Sequence, residues 1–261
     1  MPTLETTSGT IGEFALTTLA TRQIRQSTVD SYLGCVLYDD LWDEALENVS
    51  LQLIYERTQE QLNQNTRRKH TIAYRSIFRE TPWIRELKIP ASIPRVYDFP
   101  PEETLRFVMM LSPFELQGLL MMYGGLRPGE ACAASKNELK GNILMVHKQR
   151  IKNGRLVTAK TAGQVVLPQW LADRLSRHEP TIITSGSLRE SIWRNGKKVG
   201  IHINPGMLRH WYISKMVNNK VSPKIAQKQA RHSDITTTLK YYTNFSKEQL
   251  DSIVEDLYGE D

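Results

Sequence analysis

Two arginines, a histidine and a pair of tyrosines from residue 127 onward in this 261-residue chain are the residue types that could act on one phosphate. Arg127 stands in Gly124-Gly125-Leu126-Arg127-Pro128-Gly129-Glu130, and Arg209 in Leu208-Arg209-His210-Trp211-Tyr212. His232 stands in Ala230-Arg231-His232-Ser233-Asp234, which runs on through Ile235-Thr236-Thr237-Thr238-Leu239-Lys240 to Tyr241-Tyr242-Thr243-Asn244. A guanidinium is permanently charged and offers a planar pair of donors, so two of them can neutralise the non-bridging oxygens of a phosphodiester under attack. A tyrosine hydroxyl can make that attack and leave a reversible phosphotyrosyl ester. An acid is then needed for the departing sugar oxygen. Because the bond energy stays in the covalent link, such a reaction needs neither ATP nor a metal. The sequence agrees, with no Gly-rich loop ending in Gly-Lys-Ser/Thr and no Cys/His or His-Glu cluster at ligand spacing.

In this order and at these separations the three boxes resemble those of the tyrosine recombinases, or phage-type integrases. The resemblance implies DNA cleavage and rejoining through a 3′-phosphotyrosyl link, with Arg127, Lys160, Arg209, His232 and Tyr242 as the catalytic set. Lys160, in Lys160-Thr161-Ala162-Gly163, matches the family's lysine in a turn between the second and third strands of a small sheet, with Lys148 and Lys152 as competitors. Tyr242 is preferred to Tyr241 because Thr-Leu-x-x-Tyr-Thr-Asn resembles a common family ending. Glu130, three residues after Arg127, is expected to orient the site rather than react. The chain departs from the pattern at Gly206, where the family usually carries a histidine three residues before the second-box arginine. His202 and His210 are the nearby substitutes as proton acceptor, with His210 read as the more structural of the two.

The elements that must position these residues fall into two domains. Four prolines between Lys88 and Pro101 prevent continuous helix or central strand there. They suggest a helical domain over residues 1–91, a linker over 92–100 and a catalytic domain over 101–261. In the first domain, amphipathic stretches at Ile11–Ala20, Val29–Leu37, Leu51–Tyr55 and Ile72–Phe78 predict four helices. Ser27-Thr28-Val29-Asp30-Ser31-Tyr32 is similar to the second helix of the family's core-binding domain. In the second domain, Pro101 opens a helix, a second runs through Leu116–Met121, and Glu130–Ala134 begins another. Asn153-Gly154 between Asn142–His147 and Arg155–Thr158 predicts a hairpin, and Gln164–Leu167 a third strand. Asn204-Pro205 starts a helix, as cap and first turn. The fold class is mainly α with a small antiparallel sheet.

Charge points to a polyanion. Net charge is +6, yet residues 1–56 hold only Arg22 and Arg25 against nine acids. Residues 57–95 carry nine basic side chains against Glu60, Glu80 and Glu86, and residues 189–240 carry eleven against Glu190 and Asp234. Two basic regions on either side of a linker suit a protein that clamps a duplex, with Arg67, Arg68, Lys69, Arg75 and Arg79 as candidate backbone contacts. Cys35 and Cys132 lie in apolar or small-residue settings, which fits a reducing cytoplasm without disulfides. No signal peptide or membrane span is expected, and the start of the chain leaves no room for an arm-binding module.

The resemblance implies a protein of the bacterial host cytoplasm, at the nucleoid, acting without a cofactor on double-stranded DNA with inverted core half-sites. It implies a homotetramer in the synaptic complex, an accessory directionality protein in some systems, and a C-terminal helix through Ile253, Val254, Leu257 and Tyr258 that docks on a neighbouring protomer. Integration or excision of a mobile element, phage included, is the expected use. Resolution of DNA dimers by the same mechanism, type IB topoisomerase activity, and a DNA-binding protein with impaired catalysis are the alternatives.

Overall fold

The computed structural model describes residues 9–61, 63–93, 97–179, 181–239 and 241. It divides into two compact units, Met1–Val96 and Tyr97–Asp261, so the boundary falls within the proline-rich stretch. The first unit is helical: α1 (Ile11–Ala20), α2 (Gln26–Tyr38), α3 (Leu51–Gln59) and α4 (Gln64–Ile77). Local chemistry fixes the starts of three of them. Thr10 accepts from the Glu13 N–H while Glu13 returns a bond to the Thr10 N–H, a capping box that satisfies two orphan donors of α1. Ser50 caps α3 and Asn63 caps α4. The second helix opens at Gln26, earlier than Ser27-Thr28 suggests, and its N-cap Arg25 makes no side-chain cap bond. Ile11, Leu19, Val36, Leu41, Ile54, Tyr74, Ile77 and Phe78 form the core.

One polar knot lies inside this unit. Asp39, just past α2, accepts from Tyr74 Oη at 2.7 Å and Gln61 Nε2 at 2.7 Å, and its carboxylate also lies 2.7 Å from His70 Nδ1. Burial disfavours the charged imidazole, but hydrogen bonds to Asp39 and Cys35 outweigh it and hold His70 up at about 9. A group raised in the folded state stabilises fully below its unfolded value, near 6.5, and that contribution disappears as pH climbs through about 9. Asp39→Ala is therefore expected to lower the stability of this unit by about 3–5 kcal/mol at pH 6, the cost of leaving a buried partner unpaired. The deficit should shrink by pH 10. Chemical denaturation followed at both pH values checks this, and a pH-independent deficit would show that His70 is not charged in the folded state.

The second unit starts with α5 (Glu102–Met110), α6 (Glu115–Gly124) and the short α7 (Pro128–Ala131). A three-stranded antiparallel sheet follows in the order β1 (Leu139–Lys140), β2 (Ile143–Arg150), β3 (Leu156–Val166). Then come α8 (Gln169–Ser176), α9 (Ser185–Lys198), α10 (Pro205–Asn218), α11 (Pro223–Ala230) and α12 (Ile235–Leu239). The Asn153-Gly154 hairpin forms as predicted, with Gly154 at φ +83°, a conformation that favours glycine. The strands correct the sequence reading. Leu156–Val166 is one strand rather than two, and the third strand of the sheet is the short β1. Val146 pairs with Gly163 and Lys148 with Thr158, so residues 159–162 bulge opposite His147 alone. The core gathers Leu119, Leu120, Met121 and Met122 of α6, Leu144 and Val165 of the sheet, Leu188 and Ile192 of α9 and Leu208 of α10, with Tyr97 and Phe99 packed against it. No described helix is long and apolar enough to cross a membrane. Both cysteines are free and buried.

Candidate active site

Helix ends bring the boxes together. Arg127 is the N-cap residue of α7, after the turn that ends α6 at Gly125. Gly125 sits at φ +62°, and a Cβ there would lie 2.5 Å from the Tyr212 ring, so this turn requires glycine for both conformation and space. Glu130 accepts from the Arg127 N–H at 2.8 Å with one oxygen and from Arg127 Nη1 at 2.9 Å with the other, which aims the guanidinium. The Arg127 side chain remains 28% exposed, whereas that of Glu130 is sealed.

Arg209 lies in the first half of α10, whose start is set by Asn204 accepting from the Met207 N–H and by Pro205 in the first turn. It is 8% exposed and donates from Nη1 to the Gly125 carbonyl and from Nη2 to the Ala230 carbonyl. One side chain thus ties the turn before the first box to the helix before the third. Burial, then repulsion from Arg127 and Arg231, loosens its hold on its proton. A guanidinium stays charged even so, and the local excess of positive charge is a standing attraction for an anion.

His232 follows α11, held by a backbone bond from its N–H to the Gln227 carbonyl. Burial and then the Arg209 and Arg127 charges push its imidazole down to about 4, so it is neutral at pH 7. Its Nδ1 lies 2.8 Å from Thr238 Oγ1. If the threonine hydroxyl donates there, the single ring proton sits on Nε2, where the N–H can donate a hydrogen bond to a phosphate oxygen.

Tyr242 lies outside the described residues, as does the proposed C-terminal helix. Tyr241 does not: its hydroxyl meets His210 Nδ1, and its ring lies 5.5 Å from the His210 ring, which in turn lies 4.6 Å from Tyr97. Burial raises Tyr241 to about 12, and Arg209 pulls the other way. His210 thus presents a ring nitrogen to the Tyr241 hydroxyl, whereas His202 is exposed on the segment ahead of α10. At Gly206 a Cβ would meet Asn204 Oδ1 at 3.1 Å, so a larger residue there would press on the helix cap.

Lys160 is exposed in the β3 bulge, rather than in a turn between separate strands, while Lys148 is paired with Glu138 at 3.0 Å. Of the basic side chains of the first unit, Arg67, Arg68 and Arg75 donate to the carbonyls of Gln61, Pro90 and Leu87. Lys69 and Arg79 are exposed. Sequence reasoning gave no role to Arg231, Thr238 or Tyr97. Arg231 is part of the Ala230-Arg231-His232 stretch, and a bulky cation at the end of a helix is the available signal. Among the described residues no group of three or more His, Cys, Asp or Glu side chains could hold a metal ion.

Comparison with known proteins fits this geometry. Residues 114–249 match the model of the Phage integrase family. The tyrosine recombinase XerA of Thermococcus onnurineus is 26% identical over 200 residues, 68% of this chain and 70% of that protein. The tyrosine recombinase XerD of Bradyrhizobium diazoefficiens is 25% identical over 67% of this chain and 60% of that protein. Among solved structures, the Tn1549 transposon integrase in complex with transposon right end DNA shares the fold at TM-score 0.72 and 16% identity, covering 95% of this chain and 99% of that one. A lambda integrase dimer bound to a COC′ core site does so at TM-score 0.69 and 18% identity, covering 90% and 96%.

Proposed function

Since the chain belongs to the phage integrase family and is a tyrosine recombinase, we propose that it exchanges DNA strands at a specific site, with Tyr241 as its nucleophile. The observation that carries the assignment is the Tyr241 hydroxyl against His210 Nδ1, within the field of Arg209. Arg127 and Arg209 hold the non-bridging oxygens of the scissile phosphate, and His232 donates a further hydrogen bond from Nε2. The Tyr241 oxygen attacks phosphorus as its proton passes to His210. The bond from phosphorus to the 5′ oxygen breaks, and Lys160, free to swing from the bulge, protonates that oxygen. The 3′-phosphotyrosyl ester keeps the bond energy for rejoining to another strand.

The substrate on this reading is a duplex with two inverted half-sites. Each is gripped by the second unit and by Lys69, Arg79 and their neighbours on the first, and a tetramer forms at synapsis in the host cytoplasm. Integration or excision of a mobile element is favoured by the fold shared with a transposon integrase bound to transposon end DNA. Resolution of DNA dimers is the second reading, favoured by sequence relatives that are Xer recombinases.

The test is to incubate the purified protein with sheared genomic DNA from its own host, denature, recover covalently attached DNA and sequence it. A single recurrent site bonded through a tyrosine is expected. Its position, at the ends of a mobile element or at one chromosomal locus, separates the two uses. Tight DNA binding with no covalent adduct would instead make the chain a binding protein.

A further inference from the structure

Arg231 occupies a position that local stability would give to another residue. It is the capping residue after α11, at φ +52° and ψ +47°, the left-handed conformation that helix ends normally assign to glycine because a Cβ is strained there. Its side chain is only 2% exposed, so a cation has also been taken out of water. Two of its donors, Nε and Nη1, are buried and have no hydrogen-bond partner among the described residues. Backbone strain, desolvation and orphaned donors all count against arginine at this place. A glycine would remove all three.

What the arginine supplies is a contact. Arg231 Nη2 donates to Glu130 Oε2, the same oxygen that accepts the Arg127 N–H, while the other Glu130 oxygen holds Arg127 Nη1. Glu130 is thus a buried bridge between two guanidinium groups, and Arg127 alone of the two reaches solvent. The stem of Arg231 also runs beneath Gly163, where an added Cβ would come within 3.2 Å of Arg231 Cδ. Gly163 closes the bulge that carries Lys160. The end of α11 therefore touches the supports of both the first-box arginine and the lysine.

We propose that Arg231 is a positioning residue for strand cleavage, fixing Arg127 through Glu130 in the orientation that meets the scissile phosphate. This inference rests on the strand-cleavage reading above. Without Arg231, Glu130 keeps Arg127 as its only ion-pair partner among the described residues and can turn with it, so the guanidinium loses its fixed aim. Misplacement of such a group by about 1 Å costs on the order of 10²-fold in rate. Lysine keeps the charge but not the length and planar fork that reach Glu130 from the helix end.

The experiment uses the full chain and a nicked duplex carrying the site recovered by the wild-type protein as a covalent adduct. Failure of the wild type to form any adduct would sink the strand-cleavage reading itself, before this inference is reached. Arg231→Gly and Arg231→Lys should each slow single-turnover cleavage by roughly 10²-fold, with DNA affinity within a few-fold of wild type. Arg231→Gly should unfold at a temperature no lower than Arg231→Lys, because glycine relieves the capping strain. In an Arg127→Ala background, Arg231→Gly should add little further loss, since its effect passes through the missing side chain. Multiplying losses in the double variant would overturn the proposal, as would variants that cleave at the wild-type rate or lose cleavage only in step with folding. Nε–H signals of the ¹⁵N-arginine-labelled protein give a readout without DNA: that of Arg127 should shift or broaden in Arg231→Gly. An unchanged signal would count against the positioning role.

Discussion

Tyr241→Phe is expected to abolish the covalent protein–DNA adduct while leaving DNA binding within a few-fold of wild type, and Tyr242→Phe is expected to leave the adduct intact. Only the attacking oxygen is lost in the first variant. Burial raises the Tyr241 hydroxyl to about 12, so it is protonated at neutral pH and attacks only if its proton is removed. His210 Nδ1 is in contact with it and is the acceptor in the proposed mechanism, which makes His210→Ala the companion test. General-base help is worth roughly 10²- to 10⁴-fold, and cleavage at pH 7 should fall by that amount. The variant should also recover as pH rises, because the tyrosinate fraction increases about tenfold per pH unit below its pKa. Denaturing gels of nicked substrate over a pH series read both effects. An adduct that survives Tyr241→Phe and vanishes with Tyr242→Phe would move the nucleophile one residue along and remove His210 from its role.

The helices of the first unit were legible in the sequence because apolar spacing and caps such as Ser50 act locally. The hairpin at Asn153-Gly154 was legible because few other residue pairs fit that turn. Residues 156–166 were misread for a physical reason. Lys160 to Gly163 lacks apolar alternation and contains a glycine, so it reads as a turn, yet pairing with β2 on both sides carries the strand through as a bulge. Within the site, Arg127, Arg209 and His232 could be chosen from motif and charge alone. Between Tyr241 and Tyr242 the motif favours the second, since a family ending can be matched to it, whereas the contact of the Tyr241 hydroxyl with His210 joins residues 31 apart and leaves no local trace in the sequence. Arg231 was invisible for a related reason. Its meaning lies in a left-handed backbone and a carboxylate 101 residues away.

Arg127→Ala and Arg209→Ala should both cripple cleavage, but with different companions. The Arg127 guanidinium is partly open to solvent and held by Glu130, so its loss removes one donor to the transition state. That costs about 2.7–4 kcal/mol, or 10²- to 10³-fold in rate, with little change in folding. Arg209 is buried and joined to the carbonyls of Gly125 and Ala230. Alanine there removes a donor and also orphans two buried acceptors, each worth about 1–3 kcal/mol. It also releases the turn before Arg127 and the helix before His232 together. Cleavage should therefore fall further than for Arg127→Ala, and the melting temperature should fall with it. Arg209→Lys should restore little, since an ammonium cannot span both carbonyls and still face a phosphate. Single-turnover rates, duplex affinity and thermal unfolding of the three variants separate the roles. If Arg127→Ala weakens binding while the bound complex cleaves at the normal rate, that arginine is an ordinary phosphate anchor. If Arg209→Ala melts like the wild type, its two carbonyl contacts do not hold the boxes together.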